Sequence, residues 1–417
     1  MTKKEIIETA YKVWGREFYL NTSLSHVARE LKVCKPALYR HFLNKNALLE
    51  AMTRHFFDDF AGFVQAGYEK AMKTEDKSKS VFALIESITE YYARNVYLFI
   101  FSMTILNDPK LDSFNMLEEL CIRGIDMESF RDSVKDEYIF EPLVMSLPFA
   151  TLTFYMAHFH NTLDSLTNPP DEAGISQIIN VISAIIGKGL GYSGAEINAV
   201  NYEELENSIL GRVNTIDDDP LLKAVAGAVA EAGPWQASME QVAKRSGLSK
   251  SGLYSHFKNK KDMLRQLFMT ESMRILDFAR NQIKQSEVPQ EQLYLGIFSV
   301  AEYLRSKPDI LVALDWIRNR KLDLTANHAG RKQKRPKAGF LSLFEIIDII
   351  PLQNEGSPFK EITIGEKENF NITPWILFLI IKALMTRKPD RALRDVPNSD
   401  IRALYRFITL GIGGFRK

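Results

Sequence analysis

Apolar residues recur at three- and four-residue spacing along most of this chain, the period of helices that bury one face. In the first half the pattern predicts helices over Leu48–Ala71, Val81–Tyr92, Leu143–Leu163 and Ile175–Leu190. In the second half it predicts Met263–Ile283, Gln290–Tyr303, Pro374–Met385 and Asp400–Gly411. Alternation of the kind expected in strands shows only weakly, near "KEITIG" at residues 360–365. The pattern therefore predicts an all-α protein.

Ahead of the long helices, each half opens with three shorter helical patterns. In the first copy Ile6, Ile7, Ala10 and Val13 make one apolar face, and Leu221 and Leu222 fall opposite Ile6 and Ile7 in the second. The second helix of each set begins at Ser23 or Ser238, both good N-cap residues, and Gln241 completes a capping box in the second copy. It ends at Lys32 in one copy and at Gly247 in the other. The third begins after Cys34 or Ser249 and reads "KPALYRHFLNKNALL" (Lys35–Leu49) or "KSGLYSHFKNKKDML" (Lys250–Leu264). Two short helices across a tight turn form a helix-turn-helix. In the first copy Leu38 and Phe42, four residues apart, face inward. Lys35, Ala37, Tyr39, Arg40 and His41 then face outward, where long donors reach phosphates and base edges.

The two copies align without a gap at a constant offset of 215 residues, with ten identities in 23 positions from Val27 and from Val242. A repeat at this scale decides the architecture. The helical ends echo each other as well: "ISAIIGKGLGY" closes one half and "YRFITLGIGGF" the other. The boundaries that follow are a first head over residues 1–48 and a first helical body over 49–193. A polar, acidic linker over 194–216 leads to a second head over 217–263 and a second body over 264–417. Asp217-Asp218-Asp219-Pro220 supplies a cap and a start for the second head.

At 417 residues the chain is too long for one ordinary core, which agrees with this division. Its 46% hydrophobic and 25% charged residues are those of a water-soluble globular protein. A net charge of +1 hides an uneven distribution. Five basic residues stand against one acidic residue between Arg29 and Lys45, and seven against one between Lys244 and Arg265. Local patches of this kind steer a protein toward phosphates. Two cysteines, Cys34 and Cys121, give no disulfide framework and suit a reducing cytoplasm. The N-terminal pattern is not that of a signal peptide. Residues 142–163 carry no Asp, Glu, Lys or Arg, but Pro148, two histidines and four Ser/Thr residues favour a helix buried against protein over a membrane span.

Leu-Tyr-x-His-Phe followed by x-Asn-Lys, present twice, resembles the signature of TetR-type transcriptional regulators. The resemblance is specific over about 45 residues in each half; over the bodies it rests on length and helicity. It implies an N-terminal helix-turn-helix followed by a helical regulatory domain, and a dimer joined through the last two helices and bound to two DNA half-sites. It assigns Tyr39, His41 and Lys45, with Tyr254, His256 and Lys260, to phosphate contact. Lys35, Pro36, Ala37 and Arg40, with Lys250, Ser251, Gly252 and Ser255, fall at base-reading positions. Lys32 stands where the family usually has a turn glycine. The resemblance also implies an apolar effector pocket in the bodies, for which Phe60, Phe63, Tyr91, Tyr92, Phe99 and Phe154 are the candidate lining.

Several other features have simpler readings. "GLGYSG" (Gly189–Gly194) matches a dinucleotide-binding pattern, but the isoleucines before it are spaced for a helix, so its glycines read as a helix stop. His158 and His160, near Asp164, point to different faces of a helix and suit a core or interface better than a metal. Cys34 reads as a small cap-like residue, since Ser249 takes its place in the other copy. "RKQKRPK" (Arg331–Lys337) reads as a solvated loop. No nucleophile–base pair, metal set or phosphate loop suggests an enzyme, and no cofactor is implied.

The sequence thus predicts two tandem units, each a helix-turn-helix head plus a helical regulatory body, packed as a pseudo-two-fold dimer. The expected function is a cytoplasmic DNA-binding regulator, with repression the preferred mode, acting on double-stranded DNA with two unlike half-sites. A small apolar or aromatic effector is its expected ligand. The fused chain is expected to be a monomer or a homodimer. The alternative is an architectural or partner-binding protein that uses the same heads without responding to a ligand.

Overall fold

The computed structural model describes residues 1–21, 23–72, 77–105, 171–215, 219–318, 373–385 and 396–411. All regular structure among them is helical. These residues divide into two compact units, one holding residues up to 105 together with 171–183, the other holding residues from 184 onward.

In the first unit, α1 (Lys3–Asn21) buries Ile6, Ile7, Ala10, Tyr11, Val13 and Trp14 along one side. The short helices α2 (Leu24–Glu30) and α3 (Lys35–Tyr39) pack behind it through Leu24, Val27, Ala28 and Leu38. Full burial of Leu38 alone stabilises the head by about 1.5–3 kcal/mol. The long helix α4 (Lys45–Met72) begins behind Asn44, whose side-chain oxygen accepts a 2.9 Å hydrogen bond from the Ala47 amide. It runs beside α5 (Lys77–Arg94), which is followed by α6 (Val96–Ile105). Phe56, Phe57, Phe60 and Val64 face Ile85, Ile88, Tyr91 and Tyr92 across this pair, at the helical spacing the sequence displays. Tyr11 ties the head to the body: its hydroxyl donates to the Met52 carbonyl at 2.6 Å, and its ring meets Phe101 edge-on at 4.9 Å. Helix α7 (Glu172–Lys188) begins in this unit, where Arg94 grips Glu172 with two bonds of 2.6 and 2.9 Å.

The second unit contains the stretch that the sequence reads as a linker. It carries two short helices, α8 (Gly194–Asn198) and α9 (Tyr202–Ile209), and a 3₁₀ turn over Arg212–Thr215. A capping box between Ser193 and Glu196 starts α8. Glu206 on α9 is 3% exposed and satisfied four times. Arg402 donates from Nε at 2.7 Å and Nη2 at 2.9 Å, the Tyr294 hydroxyl at 2.5 Å and the Asn398 amide at 2.8 Å. Burial alone would push this carboxyl up, but those donors together hold it below the ordinary carboxylate range.

The second head repeats the first. Asp219 accepts from the Leu221 and Leu222 amides and Pro220 opens α10 (Pro220–Gln236), as the sequence suggests. Helices α11 (Met239–Ser246) and α12 (Lys250–His256) follow, then the long α13 (Lys260–Ile283). The body continues through α14 (Pro289–Ser306), α15 (Pro308–Arg318), α16 (Thr373–Met385) and α17 (Asn398–Leu410). The predicted helices thus appear wherever residues are described. Those over Leu143–Leu163, the residues near 360–365, the loop Arg331–Lys337, Cys121, His158, His160 and Asp164 lie outside the described residues.

At the end of α7 the glycines of "GLGYSG" do terminate a helix, with positive φ at Gly189 (55°) and Gly191 (80°). Their surroundings explain why glycine stands there. A Cβ on Gly189 would sit 2.5 Å from the Ile408 carbonyl oxygen, and one on Gly411 would sit 2.5 Å from the Ile186 carbonyl oxygen. Ile186 precedes Gly189 by three residues, and Ile408 precedes Gly411 by three. The contact is therefore reciprocal, each helix end resting its glycine on the other's last turn. The Leu190 amide closes it with a 2.8 Å bond to the Ile408 carbonyl.

Candidate nucleic-acid interface

Each head places a short helix so that one side is buried and the other open. In the first, Leu38 (0% exposed) and Phe42 (4%) face the core, while Lys35, Pro36, Tyr39 and Arg40 are exposed and Ala37 and His41 half-exposed. In the second, Leu253 and Phe257 are buried, while Lys250, Ser251, Tyr254, Ser255 and His256 are exposed and Gly252 half-exposed. Tyr39 and Tyr254 are large side chains left 44% and 48% exposed at the same register. The Lys35 ammonium lies 5.7 Å from the centre of the Tyr39 ring, so cation and ring share one face. Lys45 and Lys260 open α4 and α13 and are half-buried; burial lowers both below the ordinary lysine range. In each head most of the predicted contact residues are thus open to solvent on the short helix, and the lysine that begins the next helix is half-buried.

The turn before each recognition helix is closed in the same way. The Val33 amide donates to the Ala28 carbonyl at 3.0 Å, and the Leu248 amide donates to the Ala243 carbonyl at 3.0 Å. Such a turn needs one residue in the left-handed region, and the two heads supply it differently. Gly247 (φ 70°) takes it in the second head and Lys32 (φ 55°) in the first. The bend is the same, but it costs the lysine backbone strain that the glycine avoids.

Other local features differ as well. Ser238 and Gln241 complete the predicted capping box, whereas Ser23, expected to cap α2, makes no side-chain cap bond. The N3 position there holds His26 in place of glutamine. Ser249 caps α12 by accepting from the Gly252 amide at 3.0 Å, while Cys34 forms no such bond. Asp262 accepts from the Lys258 amide at 3.1 Å and from Arg265 at 2.8 Å; Ala47 occupies its register in the first head. The Arg265 bond, then the backbone bond, holds the Asp262 carboxyl below its usual range.

The family model for bacterial regulatory proteins of the tetR family matches residues 6–52 and, again, residues 221–267. Both heads are TetR-type helix-turn-helix domains. Each match begins within the first helix of its head and ends inside the long helix that follows. Two curated proteins are similar to part of this chain. An uncharacterized HTH-type transcriptional regulator, YuxN, from Bacillus subtilis (strain 168) is 41% identical over 56 residues, 13% of this chain and 19% of that protein. A fatty acid metabolism regulator protein from the same organism is 30% identical over 77 residues, 18% of this chain and 40% of its own length. The chain thus spans well under half the length of these relatives.

Away from the TetR-type heads, five of the six candidate pocket residues are described. Phe60, Tyr91, Tyr92 and Phe99 are buried, and Phe63 is 36% exposed. Their rings form a continuous path, from Phe63 to Tyr91 (5.4 Å), Tyr91 to Phe60 (5.1 Å), Phe60 to Tyr92 (5.4 Å) and Tyr92 to Phe99 (5.4 Å). Phe154 lies outside the described residues. The Tyr91 hydroxyl donates to Asp59 at 2.7 Å, and burial, then that bond, raises its pKa. Among the described residues, no group of three or more His, Cys, Asp or Glu could hold a metal ion, and no helix is long and apolar enough to cross a membrane.

Proposed function

We propose that this chain is a sequence-specific DNA-binding transcriptional regulator, a repressor, whose two heads act together as an intramolecular pseudo-dimer. The observation that carries the reading is the presence, in one chain, of two TetR-type heads that expose Lys, Tyr and His at matched registers. In each head Tyr39, His41 and Lys45, or Tyr254, His256 and Lys260, contact phosphates. Lys35, Pro36, Ala37 and Arg40, or Lys250, Ser251, Gly252 and Ser255, read bases. The reciprocal glycine contact between the ends of α7 and α17 supports the pseudo-dimer, because a two-fold relation makes each side of a contact repeat the other. The proposed domain limits are 1–48 and 217–263 for the heads, 49–193 and 264–417 for the bodies. A small apolar or aromatic molecule in the bodies shifts the population away from the spacing of heads that fits DNA. The relative named for fatty acid metabolism supports that class of effector. The chain acts in the cytoplasm, beside the DNA.

Selection from random duplexes tests this. The expected product is a bipartite site with two unlike halves about one helical turn or more apart, bound by one chain per duplex. Binding falls steeply with salt, because lysine and arginine contacts release counterions from phosphates. Failure to enrich any sequence would defeat the reading. A perfect palindrome would defeat the divergence of the heads.

A further inference from the structure

The two heads share a fold but are not equally held in it. Four positions of the second head each fix local backbone, and the first head lacks the matching device at every one. Gln241 completes a capping box where His26 stands; Gly247 takes a left-handed turn where Lys32 is forced into it. Ser249 caps the recognition helix where Cys34 does not, and Asp262 secures the amide of Lys258 where Ala47 has no side-chain acceptor. The recognition helices end alike, the Phe42 amide donating to the Leu38 carbonyl at 3.0 Å and the Phe257 amide to the Leu253 carbonyl at 3.1 Å, so the heads differ at the turn and the helix starts. The core residues Leu38 and Leu253 are equally buried, so the difference lies in the local backbone and not in the packing behind it.

We infer that the second head is the anchoring reader, set in its DNA-binding form before contact, and that the first is a conditional reader whose turn and helix starts are secured only on DNA. The inference rests on the DNA-binding reading above and adds an order of engagement to it. A binding surface that is only partly populated in its competent form binds with an affinity lowered by that fraction. A missing cap or a side chain forced into a left-handed turn each shifts local opening by several-fold, and together by about ten-fold or more. The first half-site then contributes less to overall affinity and more to discrimination. A wrong sequence there leaves the turn and helix starts of the first head unsecured, whereas the second head holds on.

Hydrogen exchange on the full chain, read by mass spectrometry, tests the inference first without DNA. Peptides covering Leu24–Phe42 are expected to exchange about ten-fold faster than those covering Met239–Phe257; equal protection, or the reverse order, overturns it. Lys32→Gly should slow exchange in the first head several-fold. The reciprocal Gly247→Lys should speed it in the second, and nothing within 4 Å of the Gly247 Cβ position would obstruct the new side chain. No change in either variant overturns the role of the turn. Binding is then measured to the selected duplex with one half-site scrambled at a time. Loss of the second head's half-site should weaken binding at least ten-fold more than loss of the first's; equal losses overturn the order of engagement. If no duplex is enriched at all, the DNA-binding reading fails instead, while the exchange difference stands or falls by itself.

Discussion

Arg40 and Ser255 occupy the same register in two otherwise matched helices, yet they offer a nucleic acid different chemistry. Arg40 is exposed, and its planar fork suits the two acceptors of a guanine. The Ser255 hydroxyl already donates to the Gly252 carbonyl at 2.6 Å, within its own helix. We therefore expect Arg40→Ala to cost about 1–3 kcal/mol at the first half-site and to flatten base preference there. Ser255→Ala should change affinity by less than about 1 kcal/mol. Fluorescence anisotropy across a panel of single-base variants distinguishes the two, and an equal response of both substitutions would count against the assignment. Tyr39, Arg40, Tyr254 and Ser255 are legible from sequence because the spacing of Leu38 and Phe42, or Leu253 and Phe257, fixes which side is buried. The strain at Lys32 is legible only in alignment with Gly247, since nothing in its own surroundings marks a left-handed lysine.

Among the elements, α9 shows where sequence reading stops. Its surroundings are polar and acidic, and Glu206 reads as one more solvated charge. Its partners Tyr294, Asn398 and Arg402 lie 88, 192 and 196 residues away, beyond any local pattern. The long amphipathic helices were legible because their periodicity is a property of the segment alone; a buried ion pair belongs to the tertiary structure. Replacing Glu206 by Gln leaves the Arg402 guanidinium without its counter-ion, at an expected loss of about 2–3 kcal/mol in thermal or urea unfolding. The pH dependence follows from the sign of the shift. A carboxyl held below its unfolded value of about 4.3 contributes stability that is complete above that pH and lost as the pH falls through the folded value. The native chain should therefore lose stability below about pH 4, and Glu206→Gln should lose less over that range. Parallel slopes for the two proteins would show that the ion pair does not carry the effect.

At the scale of the whole molecule, two long repeats of helical periodicity gave the tandem plan, and the doubled head motif gave its register. The reciprocal meeting of Gly189 and Gly411 required coordinates, because glycine-rich helix ends are common and only the carbonyls of Ile186 and Ile408 show what they make room for. Gly411→Ala should collide with that backbone and lower the melting temperature by several degrees. Gly194→Ala, with nothing within 4 Å of its Cβ position, should leave it nearly unchanged. Equal melting of the two variants would count against a tight contact. The covalent link between the two sides of this contact has a further consequence. In a regulator assembled from two identical subunits, any change in the gene strikes the contact twice, and no change can be answered from the opposite side. Here the two glycines are separate codons, so a swelling on one side can be met by a hollow on the other. On the proposed pseudo-dimer reading, dilution does not separate partners that share a chain, so that reading expects even a few copies per cell to reach DNA already paired.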